Sequence, residues 1–235
     1  MSASWSAVLS HVLPLRCVVC RALSRGSPLA PSPCAPCARQ LTASASSIGT
    51  AAGLGVTTAF AHRGVAHDAI HRLKFQGAVT LAQPLGRALA AALVDVQPGP
   101  TAIVPVPLHW RRRWRRGHNQ SVALAKVVAA TRPGFQLLRA LRKSRATRPQ
   151  VGLDGRQRRR NVIGAFVVRA RHAHRVSGSW VVVDDVVTTG ATLRAAQDCP
   201  RRAGAAELTL AAVAMVEEPG GSGLGVGQSG DDVVA

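Results

Sequence analysis

An apolar run, two acids and a hydroxyl-rich turn follow one another in WVVVDDVVTTGATL, Trp180 to Leu193. The apolar residues predict a buried strand that ends at the acids. The residues from Thr192 onward predict a helix as far as Pro200, because proline is disfavoured inside a helix. A strand that leads directly into a helix is typical of an α/β fold, in which ligands bind at the carboxyl ends of the strands.

The polar residues after this strand have the chemistry of a sugar-phosphate site. Asp184 and Asp185 can accept hydrogen bonds from vicinal ribose hydroxyls and can help to hold Mg²⁺. A helix N-terminus carries partial positive charge and unpaired N–H groups, so the turn suits a 5′-phosphate. The candidate phosphate-binding residues are Thr188, Thr189, Gly190, Ala191 and Thr192. An ordinary strand-to-helix turn with solvated acids is the alternative.

Strands and helices alternate along the rest of the chain. Apolar runs predict further strands at 102–106, 162–168 and 208–216. Helical spacing predicts helices at 68–75, 81–94 and 121–130, the last with Ser121 as its cap. Residues 139–160 are rich in arginine and poor in apolar anchors, so a loop or a mobile hairpin is expected there. Helices would cover both faces of a mostly parallel sheet.

A second predicted strand end leads into a basic loop. Arginines neutralise negative charge and Gly117 permits close backbone approach, so this loop can bind pyrophosphate. The candidate contacts are Pro107, Leu108, Arg116, Gly117, Asn119 and Gln120, joined by Lys74 from an upstream helix. Lys74 could equally lie along the helix surface. The arginines could also be a solvated charge run or contact nucleic acid, with Trp110 and Trp114 stacking on bases.

Two C-x-x-C pairs, Cys17 with Cys20 and Cys34 with Cys37, lie near the N-terminus. Four thiolates at this spacing can hold Zn²⁺ tetrahedrally, and the loop between them has no core of its own, so the metal would supply folding energy. A full set of four thiolates leaves no open position, which favours a structural role. Disulfides are the weaker alternative in a chain expected to be cytosolic.

The order of these motifs resembles the ComF family of predicted phosphoribosyltransferases, which carry an N-terminal cysteine motif. The segment from Trp180 to Leu193 also resembles the 5-phosphoribosyl-1-pyrophosphate (PRPP) signature of type I phosphoribosyltransferases. His118 stands where the family usually has an aromatic residue. The matching motifs are the cysteine pairs, KFQG at 74–77, PVPL at 105–108 with RG-x-NQ at 116–120, R-x-T-x-x-Q at 145–150 with N-V-x-G-A-F at 161–166, and DDVVTTGAT at 184–192.

The resemblance implies a type I phosphoribosyltransferase-like α/β fold with a small zinc-ribbon-like module. It implies Mg²⁺-dependent transfer of a phosphoribosyl group to an acceptor that the sequence does not reveal, and a link to DNA uptake in competence. In related transferases a flexible loop closes over PRPP, although the same segment could be a solvated loop or grip DNA. The candidate catalytic residues are Asp184, Asp185, Arg145, Gln150 and Arg158.

Charge and composition limit the class of partner. The 235 residues carry a formal net charge of +19, which suits phosphate esters, nucleic acid or an anionic surface. The alternative function is therefore the handling of single-stranded DNA without catalysis. Competence or DNA-processing proteins would then be the partners. PRPP would then be a regulatory ligand or have no role.

The expected domain organisation follows from composition. Residues 1–41 are the N-terminal segment with the zinc module, 42–58 a linker rich in small residues, 59–216 the phosphoribosyltransferase-like domain and 217–235 a disordered tail. No apolar run reaches the roughly 20 residues that a membrane span needs, and no targeting signal is evident. We expect a soluble, cytoplasmic protein.

Overall fold

The structure, a computed structural model, describes residues 16–24, 32–42, 47–51, 53–97, 99–108, 117–144, 157, 162–175 and 178–216. Several predicted features lie outside these residues. They are residues 1–15 of the N-terminal segment, residues 109–116 of the basic loop with Arg116, the residues Arg145, Gln150 and Arg158, and the tail 217–235.

Strands and helices alternate along most of the described chain. The strands are β1 Ser47–Ala51, β2 Leu54–Ala61, β3 Thr101–Pro105, β4 Phe135–Leu137, β5 Leu141–Lys143, β6 Phe166–Val168, β7 Ser179–Val187 and β8 Glu207–Met215. The α-helices are α1 Ala35–Thr42, α2 Gly64–Phe75, α3 Ala82–Ala92, α4 Gln120–Thr131 and α5 Ala191–Arg202. Two short 3₁₀ helices span Val79–Leu81 and Ala170–Arg175.

The main sheet has six strands in the order β1-β2-β8-β7-β3-β4. The five strands β2, β8, β7, β3 and β4 run parallel, and β1 pairs antiparallel with β2 at one edge. Strands β5 and β6 form a separate antiparallel pair. The predicted α/β fold with a mostly parallel sheet is thus confirmed.

Strand β7 lies inside the sheet and is buried on both faces. Val181 and Val183 pack into one cluster, which also holds side chains from α2, α3 and α4. Trp180 and Val182 point the other way into a second cluster, which holds side chains from α5 and from β5 and β6. The two-residue alternation of side chains along a strand places successive residues in opposite cores. A continuous apolar run is therefore what a doubly covered parallel strand requires.

Helices α3 and α4 pack closely because Gly86 has no side chain. A Cβ atom at Gly86 would lie 2.6 Å from the Cβ of Val127, far inside van der Waals contact. Leu85 and Leu89 on α3 and Leu124 on α4 are fully buried in the same cluster. Burial of each such leucine contributes about 1.5–3 kcal/mol relative to exposure.

The structure differs from the sequence expectations at several element boundaries. Residues 47–51 and 54–58 of the predicted linker lie in the sheet, because β2 pairs in parallel with β8 and buries Val56 and Ala59. Asn119, rather than Ser121, caps α4, since its side chain accepts a hydrogen bond from the Ser121 N–H at 3.0 Å. Helix α5 continues past Pro200 to Arg202. A proline so close to the end removes a single intrahelical hydrogen bond.

Over the residues that the structure describes, no helix has the length and apolar character that crossing a bilayer requires.

Candidate functional site

The two acids lie at the carboxyl edge of the sheet, where β7 extends past its neighbour. Pairing with β3 ends at Pro105, opposite Val183, and the Val106 N–H donates to the Val183 carbonyl at 2.9 Å. On its other side β7 stays paired with β8 as far as Val187. The strand therefore runs through the acids instead of ending at them as expected. The shorter β3 leaves them facing open space.

This open space is a cavity of about 630 Å³. Most of the predicted site residues line it. Those residues are Lys74, Pro107, Leu108, Gln120, Asp184, Asp185, Thr188, Thr189, Gly190, Ala191 and Thr192. The acids, the hydroxyl-rich turn and part of the second strand end thus meet in one place, as the carboxyl ends of parallel strands do.

Asp184 is held by short-range donors and yet is hard to ionise. Its Oδ1 accepts from the Ser121 hydroxyl at 3.1 Å and from the Asp185 N–H at 2.9 Å. Burial, followed by the charge of Asp185, raises the pKa of Asp184 to about 7, which outweighs these donors and Lys74. A hydroxyl donor or a cation bound next to Asp184 would stabilise its ionised carboxylate, so the raised pKa indicates a site for such a ligand.

Asp185 is more deeply buried, at 5% exposure. Its Oδ1 accepts from the Val186 N–H at 2.7 Å and pairs with the Lys74 ammonium at 3.0 Å. Its Oδ2 is buried and has no hydrogen-bond partner within the described part of the chain. A buried carboxylate oxygen without a donor costs free energy. This orphaned oxygen fits a ribose hydroxyl or the coordination shell of Mg²⁺.

Replacing Lys74 by methionine is expected to lower the free energy of unfolding by about 3 kcal/mol, because the buried Asp185 carboxylate loses its counter-ion. Urea denaturation measures the change. Lys126→Met, at an exposed position on α4, is the matched control and should change stability by less than about 0.5 kcal/mol. Equal losses in both variants would show that the ion pair adds nothing to stability.

The turn after β7 has the backbone geometry of an anion site. Gly190 adopts the left-handed conformation, with φ of 67°, which side-chain-bearing residues rarely adopt. It occupies the N-cap position of α5, and no side chain caps the helix there. The first turn of α5 thus presents its backbone N–H groups at the cavity wall. This is the arrangement that binds phosphate at a helix N-terminus.

The predicted pyrophosphate contacts separate into two groups. Pro107, Leu108 and Gln120 line the cavity, and the Oε1 of Gln120 is buried without a partner. Gly117 and Asn119 do not line it. The Asn119 side chain is instead occupied by capping α4 and by donating to the Val106 carbonyl at 3.3 Å.

His118 connects the loop before α4 to the end of α2. Its Nε2 donates to the Leu73 carbonyl at 2.6 Å. The neighbouring residue on α2 is Lys74, the counter-ion of Asp185. His118 thus fixes the residues just before α4 against the helix that carries the site lysine.

Two polar residues of the cavity lining, Ser121 and Lys143, are not among the predicted site residues. Ser121 donates to Asp184 from the first turn of α4. Lys143 lines the cavity from β5, with its ammonium 5.4 Å from the centre of the Phe166 ring. No motif marks either residue. The scarcity of lysine, at three in the whole chain, was the one available signal for Lys143.

The four predicted cysteine ligands come together at a second site. The sulfur atoms of Cys17, Cys20, Cys34 and Cys37 all lie within 4.8 Å of one another, and Cys20 Sγ is 3.8 Å from Cys34 Sγ. Tetrahedral Zn–S bonds of about 2.3 Å place sulfur atoms about 3.8 Å apart. All four are free thiols. The donor set therefore fits a metal such as zinc.

Backbone donors prepare one of these thiols for a metal. Burial by itself would raise the pKa of Cys17. However, the N–H groups of Cys34, Cys20 and Val19 donate to its sulfur at 3.2–3.4 Å and lower the pKa to about 6. Burial and the neighbouring thiols raise the pKa of Cys37. The lowered pKa favours the thiolate form of Cys17, which is the form that binds metal.

Sequence comparison identifies curated relatives. Competence protein F of Haemophilus influenzae is 32% identical over 146 residues, which are 60% of this chain and 64% of that protein. DNA utilization protein YhgH is 37% identical over 150 residues in Escherichia coli O157:H7 and 38% over 147 in Salmonella typhi, with 60% of this chain and 63% of each relative covered.

These matches span less than two thirds of each relative's length. No family model matches the chain. The identity of 32–38% nevertheless extends over about 150 aligned residues. The chain is a homologue of Competence protein F and of DNA utilization protein YhgH, as its resemblance to the ComF family predicted.

Proposed function

We propose that the cavity binds PRPP with Mg²⁺ and that the protein transfers the 5-phosphoribosyl group to an acceptor. One observation carries the proposal: Asp184, Asp185 and the turn 188–192 line the same cavity. The cavity contains a helix N-terminus without a side-chain cap and a buried carboxylate oxygen without a donor among the described residues. Together they favour a ligand that has both an anionic group and hydroxyl donors. A sugar phosphate has both.

The two ends of the sugar phosphate have separate binding groups. The 5′-phosphate is held by the turn 188–192 and the first N–H groups of α5. The ribose hydroxyls donate to Asp184 and to Asp185 Oδ2, which has no donor among the residues that the structure describes. This ligand therefore satisfies the most costly polar atom of the site.

The pyrophosphate faces the cations of the cavity. Lys74 and Lys143 line the wall, and the unpartnered Gln120 Oε1 can accept from water bound to Mg²⁺. Bound Mg²⁺ would supply charge neutralisation of the pyrophosphate oxygens. Arg116, Arg145, Gln150 and Arg158 remain candidates for the same role, from outside the described residues.

In the transfer step the bond between C1 of the ribose and the pyrophosphate oxygen breaks, and pyrophosphate leaves with the bonding pair. A bond forms between C1 and a nucleophilic atom of the acceptor, which loses its proton to solvent. Positive charge develops on the ribose in the transition state, close to Asp184 and Asp185. The protein thus contributes positioning and electrostatic stabilisation.

Calorimetric titration with PRPP and Mg²⁺ tests this function. The wild-type protein should bind, and Asp184→Asn combined with Asp185→Asn should weaken binding at least about 100-fold, since two hydrogen bonds to charged groups are lost. Asp68→Asn, at an exposed acid on α2, is the matched control and should bind like wild type. Equal binding by the double variant would exclude the acid pair from the ribose site. Absence of binding by wild type would overturn the function.

A second candidate function is the handling of single-stranded DNA, with or without catalysis. The net charge of +19 favours a polyanionic partner. The relatives' names, Competence protein F and DNA utilization protein YhgH, support a role in competence or DNA utilization. PRPP binding without pyrophosphate release in the presence of candidate acceptors would favour this function, with PRPP as a regulatory ligand.

The four cysteines are proposed to hold a structural zinc ion. The four sulfurs close the coordination shell, which leaves no position for substrate. The site's contribution is therefore to stability.

A further inference from the structure

The pair of strands β5 and β6 stands apart from the main sheet and has two different faces. Lys143 lies opposite Phe166 in register and lines the cavity. Arg142, the residue before it, lies opposite Val167 and is exposed. Successive side chains of a strand point to opposite faces. Arg142 therefore lies on the face away from the cavity.

Four arginines surround the end of this strand pair. Arg139 and Arg142 flank the start of β5, and Arg169 and Arg171 follow β6. The Arg169 N–H donates to the Ala140 carbonyl at 2.8 Å, which holds the two segments together. We call Arg139, Arg142, Arg169 and Arg171 the arginine cluster.

The arginine cluster lacks acidic partners within the described part of the chain. The ion pairs found there join His67 to Asp68 and Lys74 to Asp185. Arg169 Nε is buried without an acceptor among the described residues, and Arg171 Nε donates at 3.1 Å to Nε2 of His172.

The charges of the cluster act on one another. Burial, followed by the charges of Arg171, Arg142 and Arg139, lowers the pKa of Arg169. Four cations held together without an acidic partner among the described residues are mutually destabilising. A bound anion would remove this cost and satisfy the orphaned Nε.

We propose that the arginine cluster binds the phosphodiester backbone of single-stranded nucleic acid. The guanidinium group matches phosphate oxygens in a planar, bidentate geometry. The cations lie on two chain segments and three of the four are exposed, which suits successive phosphates along a strand better than one isolated anion. The proposal rests on the second candidate function and assigns it a surface. That surface is separate from the sugar-phosphate cavity.

Fluorescence anisotropy with labelled oligothymidylate, titrated over a range of salt concentrations, tests the proposal. Arg142→Glu combined with Arg171→Glu should weaken binding at low salt by about tenfold or more. The salt dependence should fall by about 1.4 in log–log slope, because each lost phosphate contact contributes about 0.7 for a single strand. The milder variant Arg142→Gln with Arg171→Gln should show a smaller loss of affinity. The matched control is Arg39→Glu with Arg87→Glu, two exposed arginines on α1 and α3, which changes net charge equally.

The outcomes separate this surface from the cavity. The Glu and the Gln variants of Arg142 and Arg171 should both bind PRPP like wild type in calorimetry. The double variant Asp184→Asn with Asp185→Asn should bind oligothymidylate like wild type. Equal losses in the cluster variant and the control variant would mean that net charge alone attracts the strand, and would overturn the proposal. So would displacement of the oligonucleotide by PRPP. The proposal would equally be overturned if the arginine cluster were needed for binding to phosphatidylserine vesicles and the protein did not bind oligothymidylate. The partner would then be a membrane surface.

Discussion

Replacing Cys17 by serine is expected to abolish zinc binding and to lower the free energy of unfolding by about 5 kcal/mol. Structural zinc binds zinc-finger peptides with about 10–16 kcal/mol at pH 7, and this binding energy is folding energy. Metal analysis by mass spectrometry gives the zinc content, and urea denaturation gives the stability. A chelator should have the same effect on the wild-type protein.

The expected loss is large because the cysteine site is part of the main core. Cys17 and Cys37 are buried in the cluster that also contains Ile70 and Leu73 of α2 and Leu85 of α3. Arg21, next to Cys20, donates at 2.9 Å to Gln76 at the end of α2. Loss of the metal should therefore loosen the helix that carries Lys74, beyond the cysteine loop itself.

Cys199→Ser is the control for the zinc prediction. This fifth cysteine is buried on the other face of the sheet and donates from its sulfur to the Phe166 carbonyl at 2.7 Å. A serine hydroxyl can make the same hydrogen bond, so zinc content should be unchanged. A Cys17→Ser protein that keeps wild-type zinc or wild-type stability would contradict the structural role.

The parts of the site that are contiguous in sequence could be predicted. From Trp180 to Thr192 the apolar run and the acids lie on one strand and the turn leads into the next helix, and local patterns describe such contiguous units well. The cysteine spacing likewise predicted the cluster of four sulfurs. In both cases the residues that act together are close along the chain or follow a fixed spacing.

The contacts between distant segments could not be predicted. The sequence predicts that Lys74 contacts pyrophosphate or lies along its helix, and no motif marks its ion pair with Asp185, more than 100 residues later. Ser121 and Lys143 reach the cavity because α4 packs against β7 and because Leu141 of β5 shares a core cluster with Trp180 and Val182 of β7. Such positions depend on tertiary packing, and the periodicity of a helix or strand carries no information about it.

The same limit explains the strands within 42–58. Small residues such as Ser, Ala, Gly and Thr predict a linker, because they bury little apolar surface. Strand β2 is nevertheless stabilised by pairing with β8 and by burial of Val56 and Ala59. The partner strand lies about 150 residues later in the chain, and its pairing and packing stabilise a strand that the local composition does not predict.

Asp184→Asn is expected to raise the stability of the unliganded protein by about 2–4 kcal/mol at pH 8, although the same change weakens PRPP binding. In the folded protein burial and Asp185 raise the pKa of Asp184 from 3.8 to about 7. A shift of about three units corresponds to about 4 kcal/mol at most, shared with the coupled Asp185. Asparagine avoids the buried charge and can still accept the hydrogen bonds from Ser121 and from the Asp185 N–H.

The sign of this effect changes with pH in a defined way. Between pH 4 and 7, set by the ordinary and the raised pKa of Asp184, the folded state binds more protons than the unfolded chain. The wild-type protein therefore loses stability as pH rises through this range. The gain from Asp184→Asn should be small below pH 4, grow toward pH 7 and stay level above it. Urea denaturation of both proteins across this range measures the difference. A variant less stable than wild type at pH 8 would mean that the carboxylate at 184 is well solvated or paired, and that the edge of β7 holds no charge in need of a ligand.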